Sequence, residues 1–122
     1  KFTSNKKTIE ILCDYDQLSR LLMNVLKNSV ESSTKKNKQV FVNLNQKGKF
    51  VIIDIEDNGE GFGESNRVNF FEPYMTKKIN GTGLGLAICK KIVEDHNGQI
   101  ELLDSEKLGG AMVRIKLFVK MK

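Results

Sequence analysis

The first quarter of the chain carries the hydrophobic spacing of an amphipathic helix. Asp14 and Gln17 have the spacing of a capping box, which predicts a helix that begins after Asp14 and runs to about Ser33. Its apolar positions follow the pattern i, i+3, i+4, i+7 and i+8 and are Leu18, Leu21, Leu22, Val25 and Leu26. Such a stripe predicts that one face of the helix packs against a hydrophobic core.

Alternating apolar and polar positions predict the strands. We expect them over residues 8–13, 38–45, 50–56, 99–104 and 111–119. A second helix is expected over residues 84–95, with Asn97-Gly98 as its stop signal, and Gly109-Gly110 is expected to turn the last hairpin. This order predicts an α/β (α+β) two-layer sandwich, with about three helices on one face of a mixed, mostly antiparallel sheet of about five strands.

The stretch between the predicted strand over residues 50–56 and the second helix has no clear period. It contains Pro73, the single proline of the chain, beside the aromatic residues Phe70, Phe71 and Tyr74. A connection this long within a small domain is usually functional or disordered. We interpret residues 63–82 as a lid, and a short aromatic turn that anchors the lid to the core is compatible with that interpretation.

Length and charge limit the possible classes of protein. The 122 residues fit one domain over residues 1–122, and the start at Lys1 rather than Met indicates a fragment of something longer. No apolar run approaches the ~20 residues that cross a bilayer. The net charge of +5 comes almost entirely from scattered lysines. Nucleic-acid surfaces favour a clustered stripe with Arg or aromatic residues, so we expect no nucleic-acid partner.

The cysteines and the histidine do not form a recognisable reactive site. Cys13 and Cys89 are far apart and make no CxxC pair, so two free thiols are expected, with a structural disulfide as the alternative. His96 is the single histidine and lies beside the predicted helix stop. Without a metal-binding or catalytic partner in the sequence, it is expected to be structural or solvent-exposed.

Two glycine clusters bracket the predicted lid, over residues 57–62 and 81–86. Glycine allows a positive φ and lets the backbone approach a ligand closely. The second cluster opens a helix, and a helix N-terminus binds anions such as phosphate. The pattern therefore predicts a nucleotide held between the clusters. It is not a Rossmann fingerprint, a Walker A loop or a protein-kinase glycine loop, since the partner residues of those motifs are missing.

Asp57 stands at the end of an apolar row. Val51, Ile53 and Ile55 share one face of the predicted strand, and Asp57 continues that face by the period of two. A carboxylate there needs a hydrogen-bond donor to offset its burial. Either a ligand supplies that donor, or Asp57 bonds its own backbone in a turn.

The first helix carries a second, polar stripe formed by Asn24, Lys27, Asn28 and Glu31. An ordinary solvated face explains such a stripe in most helices. Two Asn residues inside a helix are less ordinary because Asn is a poor helix former, which favours a face that meets a ligand.

Four motifs in this order resemble the catalytic and ATP-binding domain of bacterial sensor histidine kinases, which has the Bergerat ATP-binding fold. The resemblance covers roughly residues 9–117, and its wording is closest to the NtrY/NtrB kind of nitrogen-regulation sensor. The motifs resemble the N box, the first glycine box, the F box and the second glycine box. They read Asn24-Val-Leu-Lys27-Asn28-Ser, Asp57-Asn-Gly59-Glu-Gly61-Phe62, Phe70-Phe71-Glu-Pro73-Tyr74 and Gly81-Thr82-Gly83-Leu84-Gly85-Leu86.

The resemblance implies a role for each motif. Asp57 would accept a hydrogen bond from the adenine amino group, and Asn28 would bind Mg²⁺. Asn24, Lys27 and Lys78 would act on the phosphates as the catalytic set. The implied nucleotide-binding residues are Asn24, Lys27, Asn28, Asp57, Gly59, Gly61, Phe62, Phe71, Tyr74, Lys77, Lys78, Gly81, Thr82, Gly83, Leu84, Gly85 and Leu86.

The resemblance also implies a reaction and its partners. ATP with Mg²⁺ would donate its γ-phosphoryl group to a histidine in an upstream dimerisation and phosphotransfer domain, which is not in this chain, and a response regulator would act downstream. The fragment alone would be monomeric and unable to autophosphorylate, whereas the longer protein would be a homodimer. The domain would be cytoplasmic, in a membrane-anchored kinase.

Two alternatives stay open. One is another Bergerat-fold enzyme, such as a serine kinase or a gyrase-like ATPase. Related ATPases commonly place a Glu four residues before the Mg²⁺-binding Asn, and here that position is Asn24, which cannot act as a base. The other alternative is a degenerate module that binds nucleotide poorly and serves protein contacts.

Overall fold

The computed structural model describes residues 1–31, 37–59 and 85–119. In chain order the elements are β1 (Phe2–Ser4), α1 (Tyr15–Glu31), β2 (Val40–Lys47), β3 (Phe50–Asp57), α2 (Gly85–Asp95), β4 (Gln99–Asp104) and β5 (Ala111–Phe118). The five strands form one sheet in the order β1-β2-β3-β5-β4, in which only β1 and β2 are parallel. The predicted two-layer fold with a mixed sheet is confirmed, and the described residues hold two helices where about three were expected.

The predicted strand over residues 8–13 is wrong in its extent. Within that stretch Ile11 forms only an isolated bridge with Val119, and the edge strand is β1 instead. Ile9 and Ile11 pack against the core while Glu10 and Leu12 are exposed, so the alternation records packing and not a strand ladder. All three residues of β1 are exposed, so this strand leaves no hydrophobic pattern in the sequence.

The core lies between the sheet and the two helices. Its central residues come from α1 (Leu21, Val25), α2 (Cys89, Ile92, Val93), β3 (Val51, Ile53, Ile55), β4 (Leu102) and β5 (Val113, Ile115, Leu117). Both helices therefore pack on the same face of the sheet. Residues at the alternate positions of the strands point to the other face, which we call the open face.

The start of α1 is fixed by Asp14, as the sequence predicts. Its Oδ1 accepts a hydrogen bond from the Gln17 backbone N–H at 3.0 Å. The reciprocal half of a capping box does not form, because the Asp14 backbone N–H donates instead to His96 Nε2 at 3.1 Å. His96 thus has the structural role expected for it, since its Nδ1 also lies 2.8 Å from the Ile92 carbonyl oxygen.

We expect Asp14→Ala to lower the free energy of unfolding by about 1 kcal/mol, because the first turn of α1 loses its side-chain cap. Urea denaturation followed by circular dichroism measures this change. Asp16→Ala is the matched control, since Asp16 also lies in the first turn but does not cap it. Equal losses in the two variants would contradict the capping role.

The end of α2 confirms the predicted stop at Asn97-Gly98. Asn97 takes the left-handed conformation, with φ 57°. The Gly98 N–H then donates to the Val93 carbonyl at 2.9 Å. A Cβ at Gly98 would collide with the backbone oxygen of Lys116 and lie 2.8 Å from Leu117 Cδ2, so glycine is required by space.

These contacts set the direction of both helices across the sheet. His96 joins the end of α2 to the start of α1, and Gly98 packs on the last residues of β5. The opposite ends, the C-terminal half of α1 and the first turn of α2, consequently lie toward the other edge. That edge holds the end of β3 and the β4–β5 turn, and we call it the site edge.

Both cysteines are free thiols, as expected. Cys89 is buried in the core, and its Sγ lies 3.8 Å from the Leu21 carbonyl oxygen of the neighbouring helix. Burial raises the pKa of the Cys89 thiol to about 12, so it stays neutral at physiological pH. Among the described residues, no helix has the length and apolar character needed to cross a membrane.

Candidate functional site

Asp57 is a buried carboxylate at the site edge. Its exposed fraction is 3%, and it completes the core-facing row of β3 as the period of two predicts. Its Oδ1 accepts two backbone hydrogen bonds, from the Gly59 N–H at 2.9 Å and from the Ala111 N–H at 3.2 Å. The bond to Gly59 is the turn-type contact considered as the alternative, but it accounts for one of the two carboxylate oxygens.

The second oxygen, Oδ2, accepts no hydrogen bond from residues 1–31, 37–59 or 85–119. A buried carboxylate oxygen is costly to leave without a donor. Asp57 can therefore accept one more hydrogen bond, from a donor of suitable size and direction. An exocyclic amino group on a purine base is a donor of that kind.

Asn58, next to Asp57, links the end of β3 to residues 37–39, which precede β2. The Gln39 N–H donates to its Oδ1 at 3.0 Å, and its Nδ2 donates to the Asn37 carbonyl oxygen at 2.7 Å. The Asn58 N–H also donates to the Gln39 carbonyl at 3.2 Å. Asn58 thus has a structural role that holds Asp57 in place.

The polar stripe of α1 divides into two parts. Asn24 and Asn28 are half-buried beside the buried line of the helix, which includes Val25. Lys27 has a side chain that is 73% exposed, and its Nζ lies 4.0 Å from a carboxylate oxygen of Glu31. An exposed pair of this kind adds little stability, so the Lys27 ammonium can turn toward an anion at small cost.

The fold brings several predicted site residues to the site edge. Asp57 ends β3 there and Gly59 follows it closely. Asn24 and Asn28 occupy the C-terminal half of α1, and Gly85 and Leu86 open α2. Leu86 is half-buried and packs against the core. Their individual roles toward a nucleotide stay predictions.

The remaining predicted residues lie outside the described part of the chain. They belong to the first glycine box, the F box, the lid over residues 63–82 and the second glycine box. They are Gly61, Phe62, Phe70, Phe71, Tyr74, Lys77, Lys78, Gly81, Thr82, Gly83 and Leu84.

A concavity of about 810 Å³ lies on the open face and is separate from this site. Its lining includes Asp54, Glu56, Met112 and Arg114, which alternate with the core-facing residues of β3 and β5. Asp54 Oδ1 accepts a hydrogen bond from Arg114 Nε at 2.8 Å, which raises the pKa of the guanidinium. Because Asp57 faces the helices, the concavity is not where its carboxylate binds a ligand.

Sequence reasoning missed two members of the site. Ala111 supplies one N–H to Asp57, and Gly110 lies against the same carboxylate. The sequence identified only a hairpin turn at Gly109-Gly110. Nothing in a hairpin pattern indicates which distant residue the turn will contact.

The model of the family described as "Histidine kinase-, DNA gyrase B-, and HSP90-like ATPase" matches residues 13–121. The chain belongs to this family. Its match includes the described parts of the site, Asn24 and Asn28 on α1 and Asp57 at the end of β3. The buried, half-satisfied carboxylate is therefore placed in an ATPase-type fold and not in an unrelated sandwich.

A curated relative indicates which kind of histidine kinase the chain resembles. The chain is 41% identical over 106 residues to the nitrogen regulation protein NtrY of Azorhizobium caulinodans, a match that covers 82% of this chain and 14% of that protein. The predicted likeness to sensor histidine kinases of the NtrY kind is confirmed. Because the chain spans so small a share of that relative, the activity of the longer protein does not transfer directly.

Solved histidine kinase structures have the same fold. The mycobacterial sensor histidine kinase MprB superposes with a TM-score of 0.87 at 27% identity, covering 100% of this chain and 85% of that chain. The catalytic domain of histidine kinase ThkA, in a nucleotide-free form, gives 0.86 at 27% identity, covering 96% and 76%. The likeness therefore extends over the whole domain.

Proposed function

We propose that this chain is the ATP-binding catalytic domain of a two-component sensor histidine kinase. The observation that carries the proposal is the buried Asp57 carboxylate, with Oδ1 satisfied by two backbone N–H groups and Oδ2 available for a further donor. The adenine amino group is that donor in the proposal. Membership of the ATPase family supports it.

Phosphate binding is proposed for the ends of the two helices at the site edge. The first turn of α2, at Gly85, offers backbone N–H groups to an anion. Lys27 has an exposed ammonium on α1, and Lys77 and Lys78 are the proposed lid contacts. Each group lowers the energy of phosphate negative charge, which is the main requirement of phosphoryl transfer.

Asn28 is the proposed Mg²⁺ ligand, through its side-chain amide oxygen. Mg²⁺ usually keeps several waters and takes few protein oxygens, so a single half-buried amide at the site edge fits this metal. When bound, Mg²⁺ supplies charge neutralisation at the phosphate oxygens. Asn24, one turn earlier on the same side of α1, is proposed to orient the phosphates.

Transfer to a histidine, and not to water, is proposed from the chemistry of α1. An imidazole is itself a good nucleophile, whereas water needs a general base to be activated. Asn24 cannot act as a base, and Glu31 lies a full turn beyond Asn28 near the end of the helix. We therefore expect slow hydrolysis of ATP by this chain, and rapid turnover would favour the ATPase alternative.

The partners belong to the proposal as well. The phosphoryl group would pass to a histidine in the protein's own upstream dimerisation domain, and from there to a response regulator. The domain would lie in the cytoplasm, within a membrane-anchored homodimer. Phosphotransfer from γ-labelled ATP to a separately produced histidine domain, with this chain as the catalyst, tests this part.

We expect Asn28→Ala to abolish the effect of Mg²⁺ on nucleotide affinity, because the chain loses its proposed protein ligand to the metal. Calorimetric titration of AMP-PNP with and without Mg²⁺ measures the effect. A loss of about tenfold or more in Mg²⁺-dependent affinity is expected, in line with removal of a contact to a charged group.

Lys27→Ala is a control on the same face of α1, since it removes a charge near the phosphates without removing a metal ligand. It should weaken binding equally with and without Mg²⁺. If Mg²⁺ still raises the affinity of Asn28→Ala as it does for the wild type, the metal assignment is wrong.

A further inference from the structure

We propose that Gly110 is a positioning residue for base recognition: the absence of a side chain there lets the β4–β5 turn close on Asp57 and hold its carboxylate. The inference rests on the proposed function, because it concerns how the carboxylate that reads adenine is oriented. It assigns a role to a turn that lies far in sequence from both glycine boxes.

There is no room for a side chain at Gly110. The residue is buried, and a Cβ there would lie 2.6 Å from Asp57 Oδ1 and 2.5 Å from the Gly59 nitrogen, and would also collide with the Asp57 carbonyl oxygen. Gly109 has a φ of 81°, whereas Gly110 does not have a positive φ. Glycine is therefore required at position 110 because the chain there lies against Asp57 and Gly59, and not because the backbone has an unusual conformation.

The close approach has a chemical consequence in the next residue. It brings the Ala111 N–H within 3.2 Å of Asp57 Oδ1, where it donates together with the Gly59 N–H at 2.9 Å. Two donors on one oxygen, from different segments of chain, fix both the direction and the plane of the carboxylate. Oδ2 is then held as the acceptor for the base.

The turn itself is tied to β3 beside Asp57. Ser105 is 3% exposed, and its Oγ donates to a carboxylate oxygen of Glu56 at 3.0 Å while accepting the Leu108 N–H at 3.0 Å. The Ser105 N–H donates to the Gly110 carbonyl, and the Gly109 N–H donates to the Ser105 carbonyl, both at 2.8 Å. Ser105 thus holds Gly110 against Asp57.

The test compares ADP with inosine diphosphate, in which a carbonyl oxygen replaces the 6-amino group. The two ligands share ribose and phosphates and differ only at position 6 and at N1, which carries a hydrogen in the inosine base. The ratio of their affinities therefore reports on the edge of the base that faces Asp57 in the proposal. We expect Gly110→Ala to lower ADP affinity about tenfold or more, the change that about 1.4 kcal/mol produces, while inosine diphosphate affinity changes little. The preference for ADP should fall in proportion.

Two further variants keep the test decisive. Gly109→Asn is the matched control in the same turn, because a Cβ at Gly109 meets no atom within 4 Å and Asn tolerates a positive φ. It should retain the wild-type preference. Ser105→Ala removes both hydrogen bonds of Oγ, to Glu56 and from Leu108, without adding volume. Because the backbone bonds between Ser105 and the turn remain, the preference should fall by only about threefold. If Gly110→Ala does not fold, the preference of Ser105→Ala for ADP over inosine diphosphate tests the positioning role instead.

The outcomes separate this inference from the proposed function when Asp57→Asn is measured in the same series. If Asp57→Asn loses the preference for ADP but Gly110→Ala retains it, or loses both ligands equally, the positioning role is overturned and the adenine site stands. If Ser105→Ala is the deciding variant, an unchanged preference overturns the role. If the wild type shows no preference, or Asp57→Asn leaves it intact, the adenine assignment fails and this inference fails with it.

Discussion

Asp57→Asn is expected to weaken ADP binding by about 2–3 kcal/mol, or roughly 30- to 150-fold. The Gly59 and Ala111 N–H groups both donate to one oxygen, so the amide of Asn must keep its oxygen there. The amide NH₂ then takes the place of Oδ2 and faces the adenine amino group. Two donors meet, and the contact changes from favourable to repulsive.

The same geometry predicts that the variant keeps its fold. Both backbone donors retain an acceptor, so we expect a melting temperature close to that of the wild type. Asp54→Asn is the control, because Asp54 lies on the same strand but faces the open side and pairs with Arg114. Calorimetric titration of Mg·ADP into the three proteins measures the effect. Equal ADP affinity in the wild type and in Asp57→Asn would show that Asp57 does not recognise adenine.

Ile55→Ala is expected to lower the free energy of unfolding by about 3–4 kcal/mol, a large part of the 5–15 kcal/mol typical of a domain. Ile55 is 1% exposed, two residues before the end of β3, and belongs to the core that the helices cover. Its truncation leaves a cavity in a row that also contains Ile53 and Asp57. Because Asp57 continues this row, nucleotide affinity should fall as well when the strand relaxes.

Ile52→Ala is the matched control for this stability prediction. Ile52 is on the same strand, but it is half-buried on the open face, opposite Lys116 of β5. We expect a loss of about 1 kcal/mol there, since a partly exposed side chain leaves no closed cavity. Urea denaturation of both variants without nucleotide measures the difference. Equal losses of unfolding free energy in the two variants would contradict a core between the helices and this face of β3.

Local patterns predicted those elements whose signals lie within a few residues of one another. The Asp14 cap, the apolar stripe of α1, the Asn97-Gly98 stop and the alternation of β3 and β5 all occur as expected. The short edge strand β1 could not be found, because its three residues are exposed and its pairing partner is forty residues away. The alternation over residues 8–13 misled for the opposite reason, since core packing without a ladder produces the same spacing.

The site residues also divide into those that local sequence patterns identify and those that only contacts between distant residues identify. The glycine boxes and the two Asn residues of α1 could be read directly, because the types and spacing of the residues carry the information. The sequence also placed Asp57 at the end of an apolar row, but it left open whether a turn or a ligand satisfies the carboxylate. In the structure the turn satisfies Oδ1 only in part, since Oδ1 also accepts the Ala111 N–H, which lies 54 residues away along the chain.

By itself, the sequence determined the kind of protein: an α/β fold with two glycine-rich clusters and a polar stripe on its first helix. It could do so because helix and strand periods, caps and turns are encoded within short windows. The tertiary structure decided which segments meet. Close packing at Gly110 brings the β4–β5 turn onto Asp57, and the contact at His96 sets the helices so that Asn28 and Gly85 lie at the same edge. Such contacts depend on space and direction between distant residues, which no local pattern records.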